Sequence, residues 1–164
     1  MDQMWIDFIS RWLHVTTAIA LLGGAIFSRF VLIPAAAELP DAEHDKLRAG
    51  VLGRWKRFVH LGITLLLLTG FYNFVRAMPG HKGQPLYHSL IGTKILLAFA
   101  IFFIASAMVG RSSLAIAMRK NAARWTGIIV VLGLLIVAIS SYAKVALPGK
   151  VPGATQIEIN AVVE

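Results

Sequence analysis

The sequence predicts an all-α protein: an integral membrane four-helix antiparallel bundle. Three observations predict it. Hydrophobic residues make up 57% of the 164 positions. They gather into four runs of spanning length, about 8–33, 58–75, 90–109 and 125–147, against the roughly 20 residues a helix needs to cross the hydrocarbon core. The runs lack the strict alternation of strands, and in lipid each span must satisfy its own backbone, which favours helices. One domain therefore covers 1–147, with connectors 34–57 and 110–124 and a tail over 148–164.

In the first run, "SRWLHVTTAIALLGGAIFSRFVLIP", a small or polar stripe recurs at helical spacing: His14, Thr17, Leu21, Gly24 and Ser28. Gly23-Gly24 permits close approach of a second helix. Ala35-Ala36-Ala37 resembles a leader cleavage site. The long core, and Asp2 and Asp7 against a single Arg11 at the front, predict instead that the run remains as a span.

Connector 34–57 has a helix start at Pro40-Asp41, and its acidic residues precede its basic ones, as the helix dipole favours. It predicts a short cytoplasmic or interfacial helix leading into the second span. "RAMPGHKGQPLYHS", rich in Gly and Pro, predicts an ordered loop between spans two and three. Connector 110–124 is expected to continue its flanking helices to a short turn near Asn121. The tail breaks at Pro148-Gly149 and Pro152-Gly153 and then alternates weakly at Ile157, Ile159, Ala161 and Val163, so that it could pair with a protein partner. No internal repeat is evident.

The 16 Lys and Arg against 8 Asp and Glu leave a net charge of +8. These cations lie at the ends of apolar runs, the pattern of anchorage to a lipid bilayer, and no nucleic-acid partner is implied. Ten of them flank connectors 1–2 and 3–4: Arg29, Lys46, Arg48, Arg54, Lys56, Arg57, Arg111, Arg119, Lys120 and Arg124. Six lie at the opposite side: Arg11, Arg76, Lys82, Lys94, Lys144 and Lys150. The positive-inside rule then predicts a multi-pass protein of the cytoplasmic membrane with both termini extracytoplasmic. The absence of cysteine excludes disulfides, thiolate zinc sites, iron–sulfur clusters and covalently attached haem.

An ionisable group within a span is costly and points to a function or to an interhelical partner. His14 is such a group. Arg29 lies roughly 22 Å farther along the same helix, placed either to snorkel to headgroup phosphate or to anchor an anionic ligand group. His60 starts the second span at the inner side, about 18 Å from the level of His14 by the helical rise. His88, at the start of the third span, lies near that level. His14 and His88 are thus the one pair of helix-associated histidines able to ligate one iron. Arg11, Arg76, Lys94 and Lys144 share this outer layer, and the spans hold no acidic residue. These four cations either snorkel outward or meet the carboxylates of a bound ligand, such as haem propionates. A copper site is the alternative, since Cu(I) favours thioether and imidazole; Met78, His81 and His88 lie close in sequence beside His14.

"WLHVTTAIALLGGAIFSRFVL", "RWKRFVHLGITLLLLTGFYNFV" and "YHSLIGTKILLAFAIFF" resemble the first three helices of the CopD-like copper-resistance membrane domains and of the HemJ-type protoporphyrinogen oxidases, over about residues 5–145. The shared features are the Leu-His pair early in helix one, the glycine patch, the basic residue near its end, the Thr69-Gly70-Phe71 step and Lys94. The HemJ resemblance implies a four-helix b-type haem protein oxidising protoporphyrinogen, with His14, Arg29 and Lys94 at matching positions. Two positions depart from that pattern: Leu21-Leu22 stands where a Trp precedes the glycine patch, and Ser28-Arg29 stands where Pro-Arg is usual. The CopD resemblance implies copper handling at the membrane.

The expected function is accordingly that of a b-type haem-binding redox protein. Its haem would lie in the outer half, with His14 as axial ligand and His88 or Met78 as a second. Arg11, Arg76, Lys94 and Lys144 would be partners of the propionates, and a quinone or porphyrin would be the substrate of this oxidoreductase. A copper-binding or copper-transport protein, and a non-catalytic subunit docking a partner, are the alternatives.

Overall fold

The computed structural model describes residues 2–149, and between its turns the chain is helical throughout. The first rod comprises α1 (Asp2–Phe27), a π-helical segment (Ser28–Leu32) and α2 (Ile33–Ala37). Pro34 has no N–H to give the carbonyl four residues back, and its ring crowds that carbonyl. A local widening of the helix relieves both problems, and the π segment sits where it is needed.

α3 (Asp41–Ala77) is one helix of 37 residues, about 55 Å long at 1.5 Å per residue. The short helix expected in connector 34–57 is simply the beginning of α3. No proline follows Pro40 in this stretch, and good helix formers such as Lys46, Leu47 and Arg48 carry the helix into the span. A 3-10 turn (Met78–His81) and Gly83, at φ 79°, lead to α4 (Pro85–Val109), with proline in its first turn, where a missing N–H costs nothing.

The expected continuation of helices through 110–124 gives way to a separate helix, α5 (Ser113–Lys120). Gly110 turns extended and ends α4. The Ser112 hydroxyl then caps α5, accepting from the Ala115 N–H at 3.2 Å. Asn121 forms the turn into α6 (Ala122–Ala146). Arg119 pins α5 back on α4, its Nη1 donating to the carbonyls of Met108 at 2.9 Å and Gly110 at 2.7 Å. Arg119→Ala should therefore raise amide hydrogen exchange across residues 113–120 while leaving the spans protected. The expected local loss is about 2 kcal/mol, the scale of hydrogen bonds to a charged group. The weak strand signal and the docking role expected of the tail fall on residues 150–164, outside the described residues.

The four long helices form a square. α1 packs on α3 and α6, and α4 packs on the same two. The α1–α3 seam is antiparallel and in strict register: positions 7, 10, 14 and 21 meet 76, 73, 69 and 62. Steps of three, four and seven are those of a coiled-coil seam. Leu21 seats against Gly62, and Leu22 against Gly133 of α6. Large apolar side chains face outward on every rod, among them Ile19, Leu68, Phe103 and Val131, each about two-thirds exposed. Such a surface suits lipid rather than water. Four helices are long and apolar enough to cross a membrane. The fold therefore defines a multi-span membrane helical protein.

Candidate functional site: a polar layer in a membrane chamber

Between the four helices runs a half-open chamber of about 2090 Å³, reaching from one end of the bundle to the other. Ligand pockets ordinarily hold about 300–1,000 Å³, so this one accommodates a large molecule. Its walls are mostly aliphatic and aromatic, including Leu66, Phe74, Ile91, Phe102 and Ile129. Polar groups enter at its two ends. The end nearer the amino terminus presents Asp7, Arg11, His14, Asn73, Arg76, Lys94, Ser140 and Lys144, and the opposite end presents Arg48, Arg119 and Arg124.

His14 is the best-defined group in the first set. Its Nδ1 lies 2.9 Å from Thr69 Oγ1. The Thr69 hydroxyl is itself 2.6 Å from the Leu65 carbonyl one turn back on α3. A carbonyl only accepts, so the single hydroxyl proton goes to Leu65. Thr69 Oγ1 must then accept from His14, which places the imidazole proton on Nδ1. Nε2 is left as a lone-pair nitrogen. It has no protein partner among the described residues and stays accessible in a half-buried side chain on the chamber wall. Gly70 makes room for the ring: a Cβ there would lie 3.1 Å from His14 Cε1. An imidazole oriented through Nδ1–H with Nε2 free is arranged as a metal-ligating histidine is.

The cations divide. Arg76 is engaged outside this pairing: its Nη2 and Nε donate to the two oxygens of Asp7, at 2.9 and 3.1 Å. Tyr72 donates to the same carboxylate at 2.7 Å and accepts from Gln3. This knot at the end of the α1–α3 seam supplies the counter-charge that the apolar runs lack. Lys94 lies within electrostatic range of both His14 and Arg11. Among the described residues, Arg11, Lys94 and Lys144 have no carboxylate within 4.0 Å.

Other expected residues stand apart from His14. On α4, Tyr87, Ile91 and Lys94 line the chamber and His88 does not; His88 meets the edge of Tyr87 at 5.9 Å. Met78 also lies off the chamber wall. His81 reaches the wall and stacks on Tyr87 at 3.5 Å. Its Nδ1 donates to the Ala77 carbonyl at 2.9 Å, two turns beyond Thr69, which is about 12 Å along the axis. His14 and His81 therefore do not share one metal. At the far end, Arg29 packs against α6, its Nε 3.4 Å from where a Cβ on Gly127 would be. His60 donates to the Lys56 carbonyl on an exposed flank. Among the described residues, no group of three or more His, Cys, Asp or Glu could hold a metal ion.

Thr69 and Gly70 stand out in the sequence only as part of the Thr-Gly-aromatic step; their contact with His14 depends on helix register. No known family model, curated protein or solved structure matches this chain.

Proposed function

We propose that this chain is a b-type haem-binding redox protein of the cytoplasmic membrane, with its haem in the His14 half of the chamber and both termini extracytoplasmic. The observation that carries the reading is the Nδ1–H tautomer of His14, with a free Nε2 on the wall of a large apolar chamber. A lone imidazole suits a cofactor that brings its own four equatorial nitrogens. A bare copper or zinc ion asks the protein for three or four ligands. His14 would hold the haem through Nε2. Lys94, Arg11 and Lys144, which have no carboxylate within 4.0 Å among the described residues, would hold the propionates. Bound there, haem would supply one-electron chemistry, tuned by ligand identity and local charge. The protein's own part is to orient one imidazole, set positive charge beside it and keep the surroundings apolar. Oxidation of a quinol or porphyrinogen, as in the HemJ-type enzymes that the sequence resembles, is the reaction class that fits.

Purification from native membranes tests the reading. The expected result is a red protein with a Soret band and about one haem per chain, one axial imidazole sufficing to hold it. A colourless protein carrying stoichiometric copper would overturn it in favour of the CopD-like alternative. Neither ligand would overturn both and favour a non-catalytic subunit.

A further inference from the structure

The chamber, at about 2090 Å³, is larger than one ligand ordinarily fills, and its end away from His14 has a chemistry of its own. Arg48, Arg119, Lys120 and Arg124 line the wall there. Among the described residues, no Asp or Glu lines that end: the one carboxylate on the chamber wall is Asp7, at the other end. Glu38, Asp41, Glu43 and Asp45 belong to the same end of the bundle and lie off the wall, as do the cations Arg57 and Arg111. Headgroup anchorage asks only that cations gather near this end. It does not ask that four of them face the chamber while the acids stay off it.

The arginines reach this end from three sides of the square. Arg119 is held at the end of α4 by the carbonyls of Met108 and Gly110. These acceptors are neutral, so they fix the guanidinium in place without cancelling its charge. Arg48 lies on α3, seven residues before Trp55, whose ring meets Gly24. Arg124 lies on α6, three residues before Gly127, which meets Arg29. Counted along the antiparallel first rod from these contacts, both come level with about Leu32, within roughly one 5.4 Å turn of each other. The wall continues from them as apolar surface through Leu32, Val51 and Ile129.

We propose that this end of the chamber is a second binding site, which takes a phosphate group between Arg48, Arg119 and Arg124. Guanidinium forks arriving from several sides match a tetrahedral group with several anionic oxygens. A lipid phosphate and free phosphate both offer that chemistry. The apolar wall beside the arginines favours the lipid, whose chain would lie along it. The site uses neither His14 nor haem, so it stands or falls separately from the preceding reading.

Purified protein in dodecyl maltoside, a detergent without phosphate, is titrated calorimetrically with hexyl phosphate. Saturable binding is expected, weakening as salt is added. Hexanol, which keeps the chain and lacks the charge, should bind at least about tenfold more weakly. Arg48→Gln with Arg124→Gln should raise the Kd for hexyl phosphate about tenfold. Arg57→Gln with Arg111→Gln removes as much charge from the same end but off the chamber wall, and should leave the Kd within about twofold. Inorganic phosphate as a second titrant names the source. Binding about tenfold weaker than hexyl phosphate points to a lipid phosphate, and equal binding points to free phosphate; either supports the site. Binding of neither, affinity indifferent to salt, hexanol binding as tightly as hexyl phosphate, or a chamber-wall double variant no weaker than the off-wall one overturns the proposal. The titrations with salt, hexanol and inorganic phosphate are read on the unaltered chain and need no variant to fold.

Discussion

On the proposed haem reading, Thr69→Val should weaken haem retention about 10–100-fold, the usual effect of removing the outer partner of a ligating histidine, and His14→Ala should abolish retention. Valine matches threonine in shape but cannot accept from Nδ1–H. A buried donor left without an acceptor costs about 1–3 kcal/mol, and the ring recovers this by rotating or changing tautomer, either of which withdraws Nε2 from the chamber. Thr69→Ser should retain haem, because a serine hydroxyl can also donate to the Leu65 carbonyl while accepting from His14. The measurement is the rate of haem transfer to an excess of apo-haem scavenger, read beside the thermal midpoint of each variant. A structural role for Thr69 would lower the midpoint of the valine variant without changing the Soret position. The orienting role predicts a shifted Soret band and fast haem loss at a nearly unchanged midpoint. Wild-type retention by Thr69→Val would sink the tautomer argument.

Gly24→Leu should destabilise the bundle by about 1–3 kcal/mol or more, the cost of overpacking a close contact, while Gly23→Leu should be nearly neutral. The two glycines are adjacent in sequence and opposite in circumstance. A Cβ on Gly24 would collide with the Trp55 ring, with two further indole carbons at 3.1 Å. That ring is rigid and stacked on Phe58 at 5.2 Å, so it must swing away as a unit. A Cβ on Gly23 meets nothing within 4 Å. Thermal unfolding in mild detergent reads the difference. Trp55→Phe combined with Gly24→Ala should recover part of the loss, because the smaller ring has room to retreat. Equal midpoints for the Gly23 and Gly24 variants would contradict the seam.

The His14 site was half legible in the sequence. An imidazole inside an apolar run announces itself, because burying it unpartnered is costly, and Lys94 does so for the same reason. The partner does not announce itself. Thr69 lies fifty-five residues away on α3, and only the register of the α1–α3 seam brings its hydroxyl to Nδ1. His88 illustrates the opposite case. Its depth suits His14, but neighbouring residues on a helix point about 100° apart, and on α4 it is Tyr87 that turns inward. α4 is apolar nearly all round, so no pattern in its sequence marks the inner face.

Arg76 shows how an expected role depends on a residue beyond the apolar run. Counted within the spans, it had no acidic partner; in the structure Asp7, one residue before the first run, is its partner at 2.9 Å. Arg76 and Asp7 line the chamber as a pair, and the cations of that layer with no carboxylate within 4.0 Å among the described residues are Arg11, Lys94 and Lys144.

The sequence by itself determined the number of spans, their helical state and their alternating direction. These follow from run length, the demand for backbone satisfaction in lipid and a rise of 1.5 Å per residue, all properties of the chain in one dimension. Only the tertiary structure decided helix rotation and register: which of two glycines takes Trp55, which hydroxyl orients His14, and which glycine of α6 receives Leu22. These depend on complementary shapes carried by different helices. A glycine is a hole only when a leucine or an indole from a neighbour arrives at its level, and neither partner records the other's position.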